Sequence, residues 1–281
     1  MRLFVGVLIL MCSLPLWANT TLTTQVYDLD MGAQMDEETL VFLSGGQVAR
    51  INLQDREMLD QLHEAKENKT WLQLTYNENN EVISASEIAS PIEAHRPSGM
   101  KSLMSFTPSV IDSPEAALLI FKAARINPKD SQCFNRAQIW TYEWRANNNL
   151  FTSKIWLFFT RKYIRKFAFK WWFHVAPYLH VMEAGQVYER VADLKYGKKG
   201  PMKVQQWTNI FLSNDSECPV VTSYSEQANY PETGWCYVMK SSMYYYQPID
   251  LEVLDKDGKE RNHWNPSEVR QAYKEAYDID V

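Results

Sequence analysis

Between Ile155 and Val175 the chain places nine aromatic residues and interrupts them with Arg161, Lys162, Arg165, Lys166 and Lys170. A run this apolar belongs in a core, and one this cationic does not cross a bilayer. It therefore has to supply the central elements of a water-soluble domain. Lys154 to Thr160 and Lys166 to Val175 are rich in aromatic and β-branched residues, and they read as two neighbouring antiparallel strands joined by polar Arg161 to Arg165. Strict alternation would put Lys166, Ala168, Lys170, Trp172 and His174 on one face and Phe167, Phe169, Trp171, Phe173 and Val175 on the other. His174 then ends its strand just ahead of Ala176-Pro177, and Tyr178 to Met182 and Gln186 to Leu194 read as further strands.

The flanking sequence organises around this sheet. Met1-Arg2, the apolar run Leu3 to Leu10 and the small residue Ala18 have the layout of a secretory signal peptide over 1–18, so the protein is expected to be secreted or periplasmic. Residues 19–95 form a small acidic α/β unit. Thr39 to Leu43 and Gln47 to Leu53 flank a Ser44-Gly45-Gly46 turn, and Asp55 caps a helix with Met58, Leu59, Leu62 and Ala65 inward. Thr70 to Tyr76 and Val82 to Ser86 make a second hairpin. Residues 96–112, with Pro97, Gly99 and Pro108, read as a linker. The larger domain, 113–281, opens on a helix capped by Ser113 and closes on one capped by Ser267. Residues 19–95 hold fourteen Asp/Glu against four Lys/Arg, a net of −10, whereas 96–281 hold twenty against twenty-four, a net of +4. Opposite charge makes docking of the acidic unit on the basic one as an intramolecular lid physically reasonable, with unrelated surface charge on two domains as the alternative.

Without 1–18 three cysteines remain, Cys133, Cys218 and Cys236. Cys218 and Cys236 share one loop-rich stretch and form the natural disulfide pair in an oxidising compartment. Cys133 is left over. It stands where polar Ser131-Gln132 turns into a helix with Phe134, Ala137, Trp140, Thr141 and Trp144 on one face. A cysteine taken alone is often just a small buried hydrophobe, but at a helix start the unpaired N–H groups and the positive dipole end favour thiolate. A nucleophilic thiol needs a base, and the base needs an orienting group. His63 and His95 lie in the acidic unit and His263 in a polar tail, which leaves His174 and His180, with His174 preferred on its apolar strand. Asp193, at the end of the Tyr188 to Leu194 strand, can sit beside His174. Glu183 and Glu189 are weaker alternatives. Trp171 or Trp172 could line a substrate groove.

Cys133-x-x-Arg136-Ala137 at a helix start, the strand Phe173-His174-Val175-Ala176, Asp193 closing the next strand, and Pro201-x-x-Val204-x-x-Trp207 together resemble the bacterial protein-glutaminases. The family often has proline after the aspartate, where this chain has Leu194. The resemblance implies an α+β fold: a papain- and transglutaminase-like core whose Cys-bearing helix packs on an antiparallel sheet bearing His and Asp, preceded by a small α/β pro-region. It implies deamidation of protein glutamine side chains, with Cys133 as nucleophile, His174 as acid and base, Asp193 orienting His174, and 19–95 as an intramolecular inhibitor. The expected partner is a protein with an exposed glutamine. The chain has no zinc-spaced Cys/His set, phosphate-cradling glycine loop or calcium loop, so neither metal nor cofactor is expected. Nor is nucleic acid, since the basic run 161–170 reads as a solvated strand face, and a monomer without stable membrane insertion is expected. The same core also supports a cysteine protease, a transglutaminase-type acyltransferase or a catalytically silent binding protein.

Overall fold

The computed structural model describes residues 19–32, 38–91, 106–124, 131–212, 216–224, 234–258 and 260–281. The expected signal peptide, His95 and the expected linker as far as residue 105 lie outside these. Among the described residues no helix is long and apolar enough to cross a membrane.

The N-terminal part is a five-stranded antiparallel sheet in the order β3-β2-β1-β4-β5, formed by β1 (Thr20–Asp30), β2 (Thr39–Leu43), β3 (Val48–Ile51), β4 (Trp71–Tyr76) and β5 (Val82–Ile88). Helix α1 (Arg56–Asn68) covers it. Asp55 caps α1 by accepting from Met58 N, and Leu59, Leu62 and Ala65 bury against Val41, Leu72 and Leu74. Strand β1 starts at Thr20, ahead of the Val26 at which alternation becomes readable; its threonines pair along β4 and need no apolar pattern to do so.

The second sheet comprises β6 (Val110–Ile111), β7 (Ser153–Phe159), β8 (Phe173–Glu183), β9 (Gln186–Val191), β10 (Val220–Val221) and β11 (Cys236–Ser242). Its order is β10-β11-β7-β8-β6, with β9 on β8. The chain thus enters this sheet at Val110, within the stretch that composition marks as linker. Helices α2 (Pro114–Ala123), α3 (Cys133–Asn148), α4 (Arg161–Phe167), α5 (Val204–Thr208), α6 (Pro248–Asp257) and α7 (Pro266–Tyr277) complete the described elements. Ser113 caps α2 as expected, but α7 is capped by Asn265, whose Oδ1 accepts from Ser267 N.

Two expectations around β8 fail for local reasons. Lys166 to Val175 is not one strand. Thr160 Oγ1 accepts from Tyr163 N and starts α4, Tyr163 and Ile164 bury in the core, and Ala168 in the left-handed region (φ 48°) ends it. Only from Phe173 does the chain pair with β7. Conversely, Pro177 does not break the strand. It withdraws one N–H, yet its carbonyl accepts from Ala192 N, and the buried residues from Phe173 to Leu179 carry one strand through it.

Helix α3 is clamped to the sheet and to α7 by buried polar contacts. Lys154 of β7, fully buried, donates to Gln138 Oε1 and to the Tyr245 carbonyl. Burial pushes its amine down to about 7. Asn135 accepts from the Tyr246 hydroxyl and donates to Glu275 Oε2. Cys133 is thereby fixed at the start of a helix that cannot slide.

The two parts share one core. Leu40, Phe42 and Val48 lie in the same apolar cluster as Phe158, Trp172 and Phe173. The β2–β3 turn reaches the chain just before β8: Trp172 N donates to the Gly46 carbonyl (2.8 Å) and Val48 N to the Lys170 carbonyl (2.9 Å). Gly46 has φ 94°, and a Cβ there would lie 3.0 Å from Phe173, so glycine permits the approach. Tyr27 stacks on Trp172 at 4.6 Å. Asp28 pairs with Arg161 (2.7 Å) and Asp30 with Arg165 (2.7 Å). The basic run is thus a helix face bonded to acidic β1, not a solvated strand face.

Cys218 and Cys236 form the expected disulfide across a separation of 18 residues. Replacing both by serine is expected to lower the unfolding free energy by about 3 kcal/mol, seen as a lower denaturant midpoint. An unchanged midpoint would mean that β10–β11 pairing alone closes this loop.

Candidate active site

Three elements converge on Cys133. It begins α3, where Gln132 makes no side-chain cap, so no side chain there occupies the first-turn N–H groups. Opposite it, His174 is the second residue of β8, and the Val175 N–H also bonds the sulfur. Asp193 follows β9 by two residues, not at a strand end but at the head of a turn, with its carbonyl accepting from Tyr196 N and Gly197 N.

The imidazole is held between the two. His174 Nε2 bonds Asp193 Oδ2 at 2.6 Å, and the ring also hydrogen-bonds Cys133. Asp193 Oδ2 accepts in addition from Trp207 Nε1 (3.0 Å), and Oδ1 from Lys195 N (3.2 Å). Phe211, Trp207 and Tyr196 surround the ring with centroids at 4.6, 5.6 and 5.5 Å. All three polar residues are buried, at 4% exposure for Cys133, 7% for His174 and 1% for Asp193.

Charge coupling outweighs burial at each group. Burial disfavours the thiolate, but the His174 hydrogen bond and charge, the Arg136 guanidinium and the Val175 N–H hold Cys133 below the ordinary thiol value. Burial likewise disfavours imidazolium, yet Asp193 and then Cys133 raise His174 to about 9. Asp193 is lowered against its burial by His174, the Trp207 N–H and Arg136. The arrangement is a thiolate–imidazolium–carboxylate series in a dry site, able to attack an electrophilic carbon and hand a proton to what leaves it.

Cys133 and His174 line a narrow cleft with Ser131, Arg136, Trp171 and Tyr196, among others. Among the described residues Ser131 Oγ is buried without a hydrogen-bond partner, as is Arg136 Nε, while an Arg136 Nη1–H donates to the Ser131 carbonyl. Trp172, the other tryptophan proposed for a groove, is buried under Tyr27 and does not reach the cleft. His180 and Glu189 lie 3.6 Å apart, with Glu189 also on Lys240, and Glu183 pairs with Arg190. His63 and His263 are exposed. Sequence reasoning missed Ser131 and Phe211, and it quoted Trp207 and Arg136 only as motif letters. Nothing in their spacing shows that one holds Asp193 and the other biases both Cys133 and Asp193.

Residues 121–211 match the family model Gln_deamidase_2, described as Glutaminase. No curated protein sequence matches. The crystal structure of a pro-protein-glutaminase superposes with a TM-score of 0.51 at 15% identity, over 82% of this chain and 84% of that one. A mutant of pro-protein-glutaminase gives the same TM-score and identity over 80% and 83%. The fold expected from the sequence, a Cys-bearing helix on an antiparallel sheet preceded by a small α/β unit, is borne out, as is the resemblance to protein-glutaminases.

The charge series fixes a pH dependence. His174 is raised, so its pairing contributes fully below the ordinary histidine value of 6.5 and is lost as pH climbs through about 9. Asp193 is lowered, so its contribution is present above the ordinary carboxylate value of 3.8 and is lost as pH falls through its depressed value. Cys133 is therefore expected to react with iodoacetamide at pH 7 faster than free cysteine. His174→Ala should slow that reaction by about 10-fold or more. Equal rates in both proteins would show that His174 does not hold the thiolate.

Proposed function

We propose that this chain is an exported protein-glutamine glutaminase that converts glutamine side chains of proteins to glutamate with release of ammonia. What carries the reading is the coincidence of two facts. The Cys133–His174–Asp193 series lies within the segment matched by a glutaminase family model, and the chain has the fold of a pro-protein-glutaminase. The disulfide is consistent with export.

The geometry suits the chemistry. The Cys133 thiolate attacks the carboxamide carbon, forming a C–S bond and placing a negative charge on oxygen. Backbone N–H groups at the start of α3, including that of Cys133, and the Ser131 hydroxyl donate to that oxygen. The His174 imidazolium gives its proton to the amide nitrogen, the C–N bond breaks and ammonia leaves a thioester. His174, now neutral, takes a proton from water as it attacks the thioester carbon. The C–S bond then breaks, yielding glutamate and restoring the thiolate and imidazolium. Asp193, fixed by Trp207, keeps Nε2 of His174 occupied so that the other ring nitrogen faces the sulfur.

Residues 19–95 act as a pro-region in this reading. They dock beside the cleft through Gly46, Val48 and Tyr27 and reinforce the contact with Asp28 and Asp30.

Incubation with a glutamine-rich protein should release ammonia without new peptide termini. Cys133→Ala should abolish it, and Ser131→Ala should lower kcat by about 100-fold while leaving iodoacetamide alkylation unchanged. New termini would indicate a protease, and incorporation of an added amine a transglutaminase. Cleavage within 92–105 followed by removal of the N-terminal fragment is expected to raise activity, and unchanged activity would count against a pro-region.

A further inference from the structure

Two cationic segments adjoin the cleft lining along the chain: 195–203 contains the lining residues Lys195 and Tyr196, and α4 leads into the lining residues Phe169 and Trp171. The chain carries a formal charge of −5, yet Lys195 to Lys203 hold four lysines and no acid, and Arg161 to Phe167 hold two arginines, two lysines and no acid. Lys195, Lys198, Lys199 and Lys203 are all exposed. Their loop is anchored on Asp193: Lys195 N donates to its carboxylate and Gly197 N to its carbonyl (2.7 Å). A Cβ on Gly197 would lie 2.9 Å from both the Asp193 and Gly200 carbonyls, so the loop is closely packed at that point. Lys195 and Tyr196 of this loop line the cleft. From α4, Lys162 and Lys166 each place Nζ 4.9 Å from the Trp235 ring. Trp171, 38% exposed, and Phe169, which follow α4 in the chain, line the cleft.

The molecule itself demonstrates what this surface accepts. Asp28 and Asp30, from the acidic N-terminal part, sit on Arg161 and Arg165 of α4. Resting on the deamidase reading, we propose that the cationic segments adjoining the cleft lining, the 195–203 loop and α4, are a docking surface for acidic polypeptide, so that the enzyme selects glutamines flanked by Asp and Glu. The aromatic wall takes the apolar glutamine stem, and the lysines take the flanking carboxylates. Charges this close to the bound chain lie within the screening length of about 8 Å at physiological salt, so they bias both encounter and residence. A nucleic acid is the poorer fit, because an extended polyanion would also meet the acidic remainder of the chain.

The test compares two blocked peptides, one with a glutamine between alanines and one with the same glutamine between Asp and Glu. Both are given to the chain after cleavage within 92–105 and departure of the N-terminal fragment, which frees Arg161 and Arg165 from Asp28 and Asp30, with ammonia as readout. The acidic peptide should have a kcat/KM about 10-fold higher at low salt, carried by KM, and the ratio should fall toward one as salt is added. In Lys198→Glu/Lys199→Glu the preference should reverse. Lys198→Gln/Lys199→Gln, which creates no new repulsion, should reduce the ratio without reversing it. Equal kcat/KM for the two peptides, or a preference that survives charge reversal, overturns the proposal and leaves the deamidase reading intact. Ammonia from neither peptide overturns both. Equal inhibition of both peptides by duplex DNA, with no preference between them, assigns the cationic segments to nucleic acid instead.

Discussion

The structure depends on one buried charge pair, His174 with Asp193, 2.6 Å apart and nearly dry. Two ions in such a place are costly unless every remaining lone pair and proton is used. Trp207 Nε1, Lys195 N and the Cys133 sulfur use them, and Phe211 and Tyr196 exclude water. Each of these contacts comes from a different piece of chain, so the sheet, the turn after β9, α5 and α3 all have to be in register before the pair is tolerated. The clamp of Lys154 on Gln138 and of Asn135 on Glu275 serves that register from the far side of α3.

The cationic α4 shows how one element serves two purposes. Its Tyr163 and Ile164 bury in the core, while its arginines face β1. α4 leads through Ala168 and Trp171 into β8, the strand that carries His174. The N-terminal part meets the α4 arginines with carboxylates and adds main-chain pairing at Lys170 and Trp172.

The elements set by short-range chemistry were legible in the sequence: Asp55 and Ser113 as caps, the Ser44-Gly45-Gly46 turn, the helix beginning at Cys133, and the Cys218–Cys236 pair. The site residues could be nominated because the expected removal of 1–18 leaves one odd thiol and the apolar strand makes one histidine costly to leave unpaired. Alternation misled over 166–175, since aromatic residues pack equally well on a short capped helix and a turn. It also stopped at Pro177, because the carbonyl that Ala192 uses is invisible in a residue list. Trp207, Arg136 and Ser131 acquire their environment only through packing across distant segments, and no local spacing encodes that.

The shared core has a kinetic corollary. Leu40, Phe42 and Val48 are packed among Phe158, Trp172 and Phe173, so cutting the connection at 92–105 leaves the two fragments joined by a buried apolar contact and not merely by charge. Scission and departure are then separate events. For the pro-region proposed above, the first would depend on a protease and the second on the spontaneous opening of a core, which slows steeply on cooling. A cut population would ripen with a lag set by temperature rather than by the amount of protease.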